Sequence, residues 1–281
     1  MIESINHNGN LINDKTNILS LSNRLFRYGD GVFESIRIAD GKIINSESHF
    51  NRLVKSLEVL KIISPKYFNQ EYFEKEILKL VKQNNHIVSA RVRFSAFRAD
   101  GGFYLPENNN LEFIIESICL DNKSFQLNKT GLNLGLYSEI TKTQNLLSPL
   151  KTCNSLIYIM ASLYAKENNF DDCLILNDKK QIIEATSSNV FIVYKNEIFT
   201  PDITDGCVDG TMRKLIIEIA KENKLNINYK PLLIQDLCKA DEVFLTSAIS
   251  GIKWVFKLND KNYHSKTSDF LLKKLNAKCS L

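Results

Sequence analysis

The sequence predicts an α+β protein of two domains, and three observations lead there. Short apolar or alternating stretches bounded by turn signals recur along the chain. Between them lie longer segments whose apolar residues fall at helical spacing. A polar, Asn/Lys-rich stretch, Asp121–Thr130, separates two such sets and reads as an interdomain connection. The expected division is a small α+β domain over 1–120, the connection over 121–130, and a larger α+β domain over 131–281.

In the first domain, Gly31–Ile38 (GVFESIRI) is strand-like, Ala39–Lys42 is a turn, and Lys42–Ile44 starts a return strand. His49–Lys61 places Leu53, Leu57 and Leu60 on one helical face; Glu71–Gln83 does the same with Phe73, Ile77, Leu80 and Val81. Alternation returns in Ala90–Phe97 and Leu111–Ile118. Beyond the connection, strand Leu132–Tyr137 is followed by a loop to Pro149 and a helix over Asn154–Lys166. A hairpin of Cys173–Leu176 and Ile182–Ala185 comes next, then strand Val190–Tyr194, helix Met212–Glu222 and strand Glu242–Thr246.

Composition narrows the function. The 281 residues are 44% hydrophobic and 24% charged, with 36 Lys+Arg against 32 Asp+Glu. The basic residues are spread rather than gathered on one run, which speaks against a nucleic-acid binder and leaves small anionic substrates compatible. The N-terminus MIESINHNGN lacks a signal-peptide pattern, and no apolar run approaches the length of a membrane span. Six cysteines without CxxC or regular spacing fit reduced thiols better than a disulfide framework or a zinc site. The expectation is a cytoplasmic protein that binds neither membrane nor metal.

Three places carry chemistry. Lys151 is the only charged residue between Lys142 and Lys166, set before an apolar helix. Burial disfavours an ammonium, and a neutral amine is what imine formation with an aldehyde requires. A snorkelling lysine with its head in water is the alternative. Glu184 is the only charge between Lys180 and Lys195. A buried carboxylate needs a cation or donors, which a cofactor's pyridinium nitrogen or a structural ion pair would both supply. Gly206–Arg213 runs straight into a helix, whose free N–H groups favour an anion such as phosphate; Asp209 as a plain helix cap is the alternative.

Taken in order, these pieces resemble the class-IV aminotransferase family, the fold-type IV enzymes that use pyridoxal 5′-phosphate (PLP). The resemblance runs from Asn8-Gly9 to about Val255. It is carried by RYGDGVFESIR (Arg27–Arg37), HFNRL (His49–Leu53), LKTCN (Leu150–Asn154), EATSSNVF (Glu184–Phe191), the Gly210–Arg213 turn and ADEVFLTSA (Ala240–Ala248). It implies a two-domain fold like that of D-amino-acid aminotransferase, with PLP in the interdomain cleft, the lysine on a pseudo-barrel second domain, and a homodimer. Carried over by residue, Lys151 forms the Schiff base and moves the substrate's Cα proton. Glu184 pairs with the pyridine nitrogen and makes the ring an electron sink. Arg52 clamps the phosphate with its planar fork, helped by the backbone N–H groups of Thr211 and Met212. Phe33, Ser35, Arg98 and Ala248 fall on the substrate side, with Arg98 as a ligand for a substrate carboxylate.

Three departures bear on the reaction. Leu156 stands where branched-chain aminotransferases place a tyrosine near the cofactor O3′, with Tyr158 elsewhere on the helix. Met212 and Ala248 stand where aminotransferases commonly carry threonine. Leu156 argues against the branched-chain enzymes, and Lys151-x-x-Asn154 resembles both D-amino-acid aminotransferase and 4-amino-4-deoxychorismate lyase; Met212 and Ala248 resemble the lyase, a folate-pathway enzyme that makes p-aminobenzoate and pyruvate. The alternative within the family is a transaminase of D-amino-acid or branched-chain type.

Overall fold

The structure, a computed structural model, describes residues 4–13 and 19–281. It divides into two compact units: the chain through Ser124 together with Leu150–Asn154, and Phe125–Pro149 together with Ser155–Leu281. Among the described residues no helix is long and apolar enough to cross a membrane. All six cysteines are free thiols.

The first unit contains β1 (Ser4–His7), β2 (Asn10–Asn13), α1 (Arg24–Tyr28), β3 (Gly31–Ala39), β4 (Lys42–Ile43), α2 (Ser46–Val59), α3 (Gln70–Gln83), β5 (Ser89–Arg98) and β6 (Leu111–Cys119). The strands form one antiparallel sheet in the order β2-β1-β6-β5-β3-β4. Its two tight hairpins turn at Asn8-Gly9 and Asp40-Gly41, all four residues at positive φ, as a two-residue turn matching strand twist requires. Val32, Ile36 and Ile38 of β3 and Val92 and Phe94 of β5 point to one face and pack against Leu53 and Leu57 of α2 and Phe73, Ile77 and Leu80 of α3. Each such fully buried side chain contributes about 1.5–3 kcal/mol. Strand alternation then sends Phe33, Ser35, Arg93 and Ser95 to the opposite face.

The second unit contains β7 (Leu132–Lys142), α4 (Leu156–Glu167), β8 (Asp172–Asn177), β9 (Ile182–Ala185), β10 (Asn189–Tyr194), β11 (Glu197–Thr200), α5 (Thr211–Glu222), β12 (Ile227–Tyr229), α6 (Ile234–Lys239), β13 (Glu242–Ser247), β14 (Gly251–Leu258), β15 (Lys261–Asn262) and α7 (Lys266–Cys279). Six of its strands close a ring, β10-β13-β14-β7-β8-β9, because β9 pairs back to β10 through Glu184 and Asn189. A closed ring leaves no unpaired edge. It also fixes Glu184 between β8 and β10, opposite Ile175 and Asn189.

The structure departs from the sequence expectation in three places that matter. Leu150–Asn154, and Lys151 with it, groups with the first unit rather than with the barrel. The cause is backbone pairing: Phe33 N–H donates to the Lys151 carbonyl and Cys153 N–H to the Gly31 carbonyl, each at 2.9 Å. That pairing also delays the next helix, which starts at Leu156 rather than Asn154. Strand β7 runs on to Lys142, five residues past Tyr137, through a register shift against β8.

Candidate active site

In the first unit, the extended segment Leu150–Asn154 lays Lys151 beside β3, with Val32 and Thr152 bridged. Lys151 is half-buried, and its Nζ lies 4.5 Å from the centroid of the Phe33 ring. This is not a lysine at a helix start. The guanidinium of Arg93 sits 3.7 Å from the same centroid, so two cations share one apolar platform. Burial pushes the Cys153 thiol up, opposed by the nearby Arg93 and Lys151 charges. Ser35 pairs with Arg93 across the strands and lies on the same face as Phe33.

Behind that face is a buried cluster. Glu34 accepts from Arg52 Nε at 2.7 Å and Nη2 at 2.5 Å, and from His49 Nδ1 at 2.6 Å. His49 and Arg52, three residues apart, share one face of α2. Burial alone would raise the Glu34 carboxyl, but the Arg52 charge and the His49 hydrogen bond outweigh it and hold it at about 2. His49 moves down, chiefly through burial, which leaves a neutral imidazole donating to a carboxylate. The Nε/Nη2 edge of Arg52 is therefore committed to Glu34. A phosphate would have to be met from the other side of the guanidinium.

Arg98 faces the interior of the first unit rather than a substrate. It is buried, 7% exposed, and its donors are spent inside the unit. Nε and Nη2 reach Asp30, Nη2 also the Leu60 carbonyl at 2.7 Å, and Nη1 reaches Asn109 Oδ1 and the Lys61 carbonyl. Five N–H groups meet five acceptor contacts, so Arg98 ties β5 to the end of α2 and is no ligand for a substrate carboxylate. Arg93, five residues earlier in β5 and therefore on the opposite face, holds its guanidinium over the Phe33 ring.

In the second unit, Glu184 is 3% exposed. Its Oε1 accepts from Lys142 Nζ at 2.6 Å and from the Tyr158 hydroxyl at 2.8 Å; its Oε2 accepts from Val208 N–H at 2.8 Å. The Lys142 ammonium also reaches the Tyr158 oxygen at 2.9 Å. Burial, and then the Glu184 charge, raise the Tyr158 hydroxyl far above its ordinary value, so it stays a donor. Burial with the Glu184 charge pushes the neighbouring Cys207 up to about 12. A carboxylate offers about four acceptor positions, and three are filled among the described residues. The fourth lies on Oε2.

Helix α5 begins with Thr211 and Met212, both buried, behind Gly210 as N-cap with no side-chain cap hydrogen bond. A Cβ at Gly210 would stand 1.8 Å from Asn189 Oδ1, so any side chain there would displace Asn189 from its hydrogen bond to the Val208 carbonyl. Asp209 is not the cap; it takes Lys214 Nζ at 2.6 Å. Gly210 as N-cap brings no side chain of its own to this helix start, and a helix start of this kind suits an anion. Ala248 lies in the β13–β14 turn, which Ser250 N–H closes on Ser247 Oγ at 3.1 Å. Leu156, at the start of α4, is 75% exposed.

Sequence reasoning missed Glu34, His49, Arg93, Lys142 and Tyr158. The first two were visible as an inward strand position and an i,i+3 partner of Arg52. Lys142 was not, because the bulged end of β7 breaks the alternation that would have placed it.

The amino-transferase class IV family model matches residues 31–255. A "Putative branched-chain-amino-acid aminotransferase" of Methanocaldococcus jannaschii is 29% identical over 96% of this chain and 93% of its own length. A "D-alanine aminotransferase" of Staphylococcus epidermidis is 26% identical over 91% and 89%, and an "Aminodeoxychorismate lyase" of Vibrio harveyi 25% identical over 83% and 84%. The solved branched-chain amino acid aminotransferase of Escherichia coli superposes with a TM-score of 0.87 at 21% identity, covering 100% of this chain and 94% of that one.

Proposed function

The chain belongs to the amino-transferase class IV family and is a PLP-dependent transaminase or lyase, and we propose that it is the lyase that converts 4-amino-4-deoxychorismate into p-aminobenzoate and pyruvate. The observation that carries this reading is at α4. Leu156 supplies no hydroxyl, and the helix's own Tyr158 spends its hydroxyl on Glu184.

The residues present suit the cofactor. Glu184 keeps one acceptor position beyond Lys142, Tyr158 and Val208 among the described residues, α5 starts behind a glycine N-cap without a side chain, the kind of helix start that suits a phosphate, and Lys151 lies beside an apolar ring. When bound, PLP supplies an aldehyde conjugated to an electron sink. Lys151 would hold it through Nζ, then take the proton from the substrate carbon that bears the amine and return one. Glu184 would hold the proton on the ring nitrogen. Thr211 and Met212 N–H groups, with Arg52, would bind the phosphate. Phe33, Ser35 and Ala248 would line the substrate side, and Arg93 would orient a substrate carboxylate over Phe33. The homodimer that the family resemblance implies is part of the same proposal, and α4 presents exposed Leu156, Ile159, Met160 and Leu163 to a partner copy.

The test supplies the PLP-loaded protein with aminodeoxychorismate and, in parallel, with amino-acid/2-oxoacid pairs. Equimolar p-aminobenzoate and pyruvate, formed faster than any oxoacid, is the expected result. Rapid transamination with no p-aminobenzoate overturns it in favour of the transaminase, the reading that the M. jannaschii relative supports.

A further inference from the structure

Lys142 is the group the resemblance does not account for. It stands at the bulged end of β7, 14% exposed, with its ammonium 2.6 Å from Glu184 Oε1. We propose that Lys142 is a positioning residue that tunes Glu184: it shares the carboxylate with the ring nitrogen of bound PLP and weakens the hold of that carboxylate on the ring proton.

Glu184 carries a single negative charge, and Lys142 already neutralises it within hydrogen-bond range. A second cation accepted at Oε2 meets a carboxylate whose charge is partly spent, and it also meets the Lys142 charge itself. A like charge this near lowers the proton affinity of a basic nitrogen. The other groups around Glu184 do not offset this. Tyr158 from α4 and Cys207 from the segment before α5 are both raised by burial and stay neutral. Val208 contributes a backbone dipole. Asp205 and Arg213, opposite charges, lie on the Cys207 side. Lys142 is thus the charged donor to Glu184 among the described residues.

A weakened sink suits a reaction with its own driving force. Elimination that ends in an aromatic ring needs less help from the cofactor than reprotonation and hydrolysis do. The inference rests on the assignment of Glu184 to the ring nitrogen, and the test separates the two.

Wild type, Lys142→Gln, Lys142→Arg and Glu184→Gln are each loaded with PLP carrying nitrogen-15 in the ring, and the ring nitrogen's NMR shift is followed against pH without substrate. Lys142→Gln keeps a donor to Oε1 and loses the charge; its ring nitrogen should release the proton about one pH unit or more higher than wild type. Lys142→Arg should titrate close to wild type. The proposal is overturned if Lys142→Gln titrates as wild type does, if the Gln and Arg variants shift alike, or if Lys142→Gln fails to retain PLP, since Lys142 is held dispensable for binding. A titration moved by Glu184→Gln but not by Lys142→Gln removes the role of Lys142 alone. One unmoved by Glu184→Gln removes the Glu184 assignment as well.

Discussion

The two units each bury a carboxylate against a cation and a neutral donor, and they do so with different chemistry. Glu34 is gripped by the planar fork of Arg52, 6% exposed, plus His49. Glu184 meets Lys142, a point charge on a flexible stem, plus Tyr158 and one backbone N–H. Guanidinium and carboxylate match in two contacts and hold each other rigidly, whereas an ammonium makes one contact and can swing to water. The placement differs too. Glu34 lies in mid-strand on the core side of its sheet, and Glu184 lies on the short strand that closes a barrel, with an acceptor position left over. A buried charge pair is thus a lock in the first unit and an exchangeable contact in the second.

The largest effect should come from breaking the lock. Glu34→Gln leaves the buried Arg52 cation without the opposing charge at position 34, which costs about 3–5 kcal/mol of unfolding free energy at neutral pH, measured by urea denaturation. The pH dependence has a definite sign. The Glu34 carboxyl falls from 4.5 to about 2 on folding, so its contribution is complete above the unfolded value and is lost as pH drops toward the folded one. The gap between wild type and Glu34→Gln should therefore narrow from about pH 5 down to about pH 2. A gap that stays constant over that range would show that the charge of Glu34 is not what stabilises the unit.

The lock and the exchangeable pair were unequally legible in the sequence. Strands and helices with clean periodicity were readable: β3, α3, β5, β6 and the β8–β9 hairpin lie within a residue or so of their expected bounds. Helix α7 was not, since Leu271, Leu272 and Leu275 are buried inside a lysine-rich stretch with a weak amphipathic contrast. Lys151 and Glu184 stood out because each is a lone charge in an apolar run. What no local pattern could show is pairing at a distance. Lys142 reaches Glu184 across 42 residues, Arg98 reaches Asp30 across 68, and the backbone pairing that draws Lys151 to the first unit is made with β3.

Next in size is the effect of Glu184→Gln, which should fall on turnover rather than on the fold. The amide cannot hold a proton on the ring nitrogen, and a loss of one to three powers of ten corresponds to roughly 1.4–4 kcal/mol of barrier. The fold should suffer less than in Glu34→Gln, because the freed Lys142 head is already 14% exposed and can reach solvent. Steady-state kinetics and urea denaturation on the same preparation check both halves. If Glu184→Gln unfolds as readily as Glu34→Gln while keeping its turnover, the two carboxylates have the same structural role and the contrast between the units is lost.

The smallest effect, and the sharpest for the reaction, belongs to Tyr158→Phe. The Tyr158 hydroxyl donates to Glu184 Oε1 and accepts from Lys142 Nζ. Phenylalanine removes both contacts while leaving the ring in its place against the barrel. Glu184 keeps Lys142 and Val208, so no charge is stranded, and the loss should be near that of one hydrogen bond to a charged group, about 1.5–3 kcal/mol at most. More telling is what should not change. A hydroxyl spent on Glu184 is not at the phenolic oxygen of PLP, so the absorption maximum of the bound cofactor and its pH dependence should match wild type. In a site with a transaminase-type tyrosine, removing that hydroxyl withdraws a hydrogen bond from the cofactor itself and moves the spectrum. An unchanged spectrum with a small loss of stability therefore keeps Tyr158 with Glu184 and speaks against a site of branched-chain aminotransferase type. A shifted spectrum would put the Tyr158 hydroxyl on the cofactor, restore the tyrosine that Leu156 lacks, and make transamination of branched-chain type the better account of this chain.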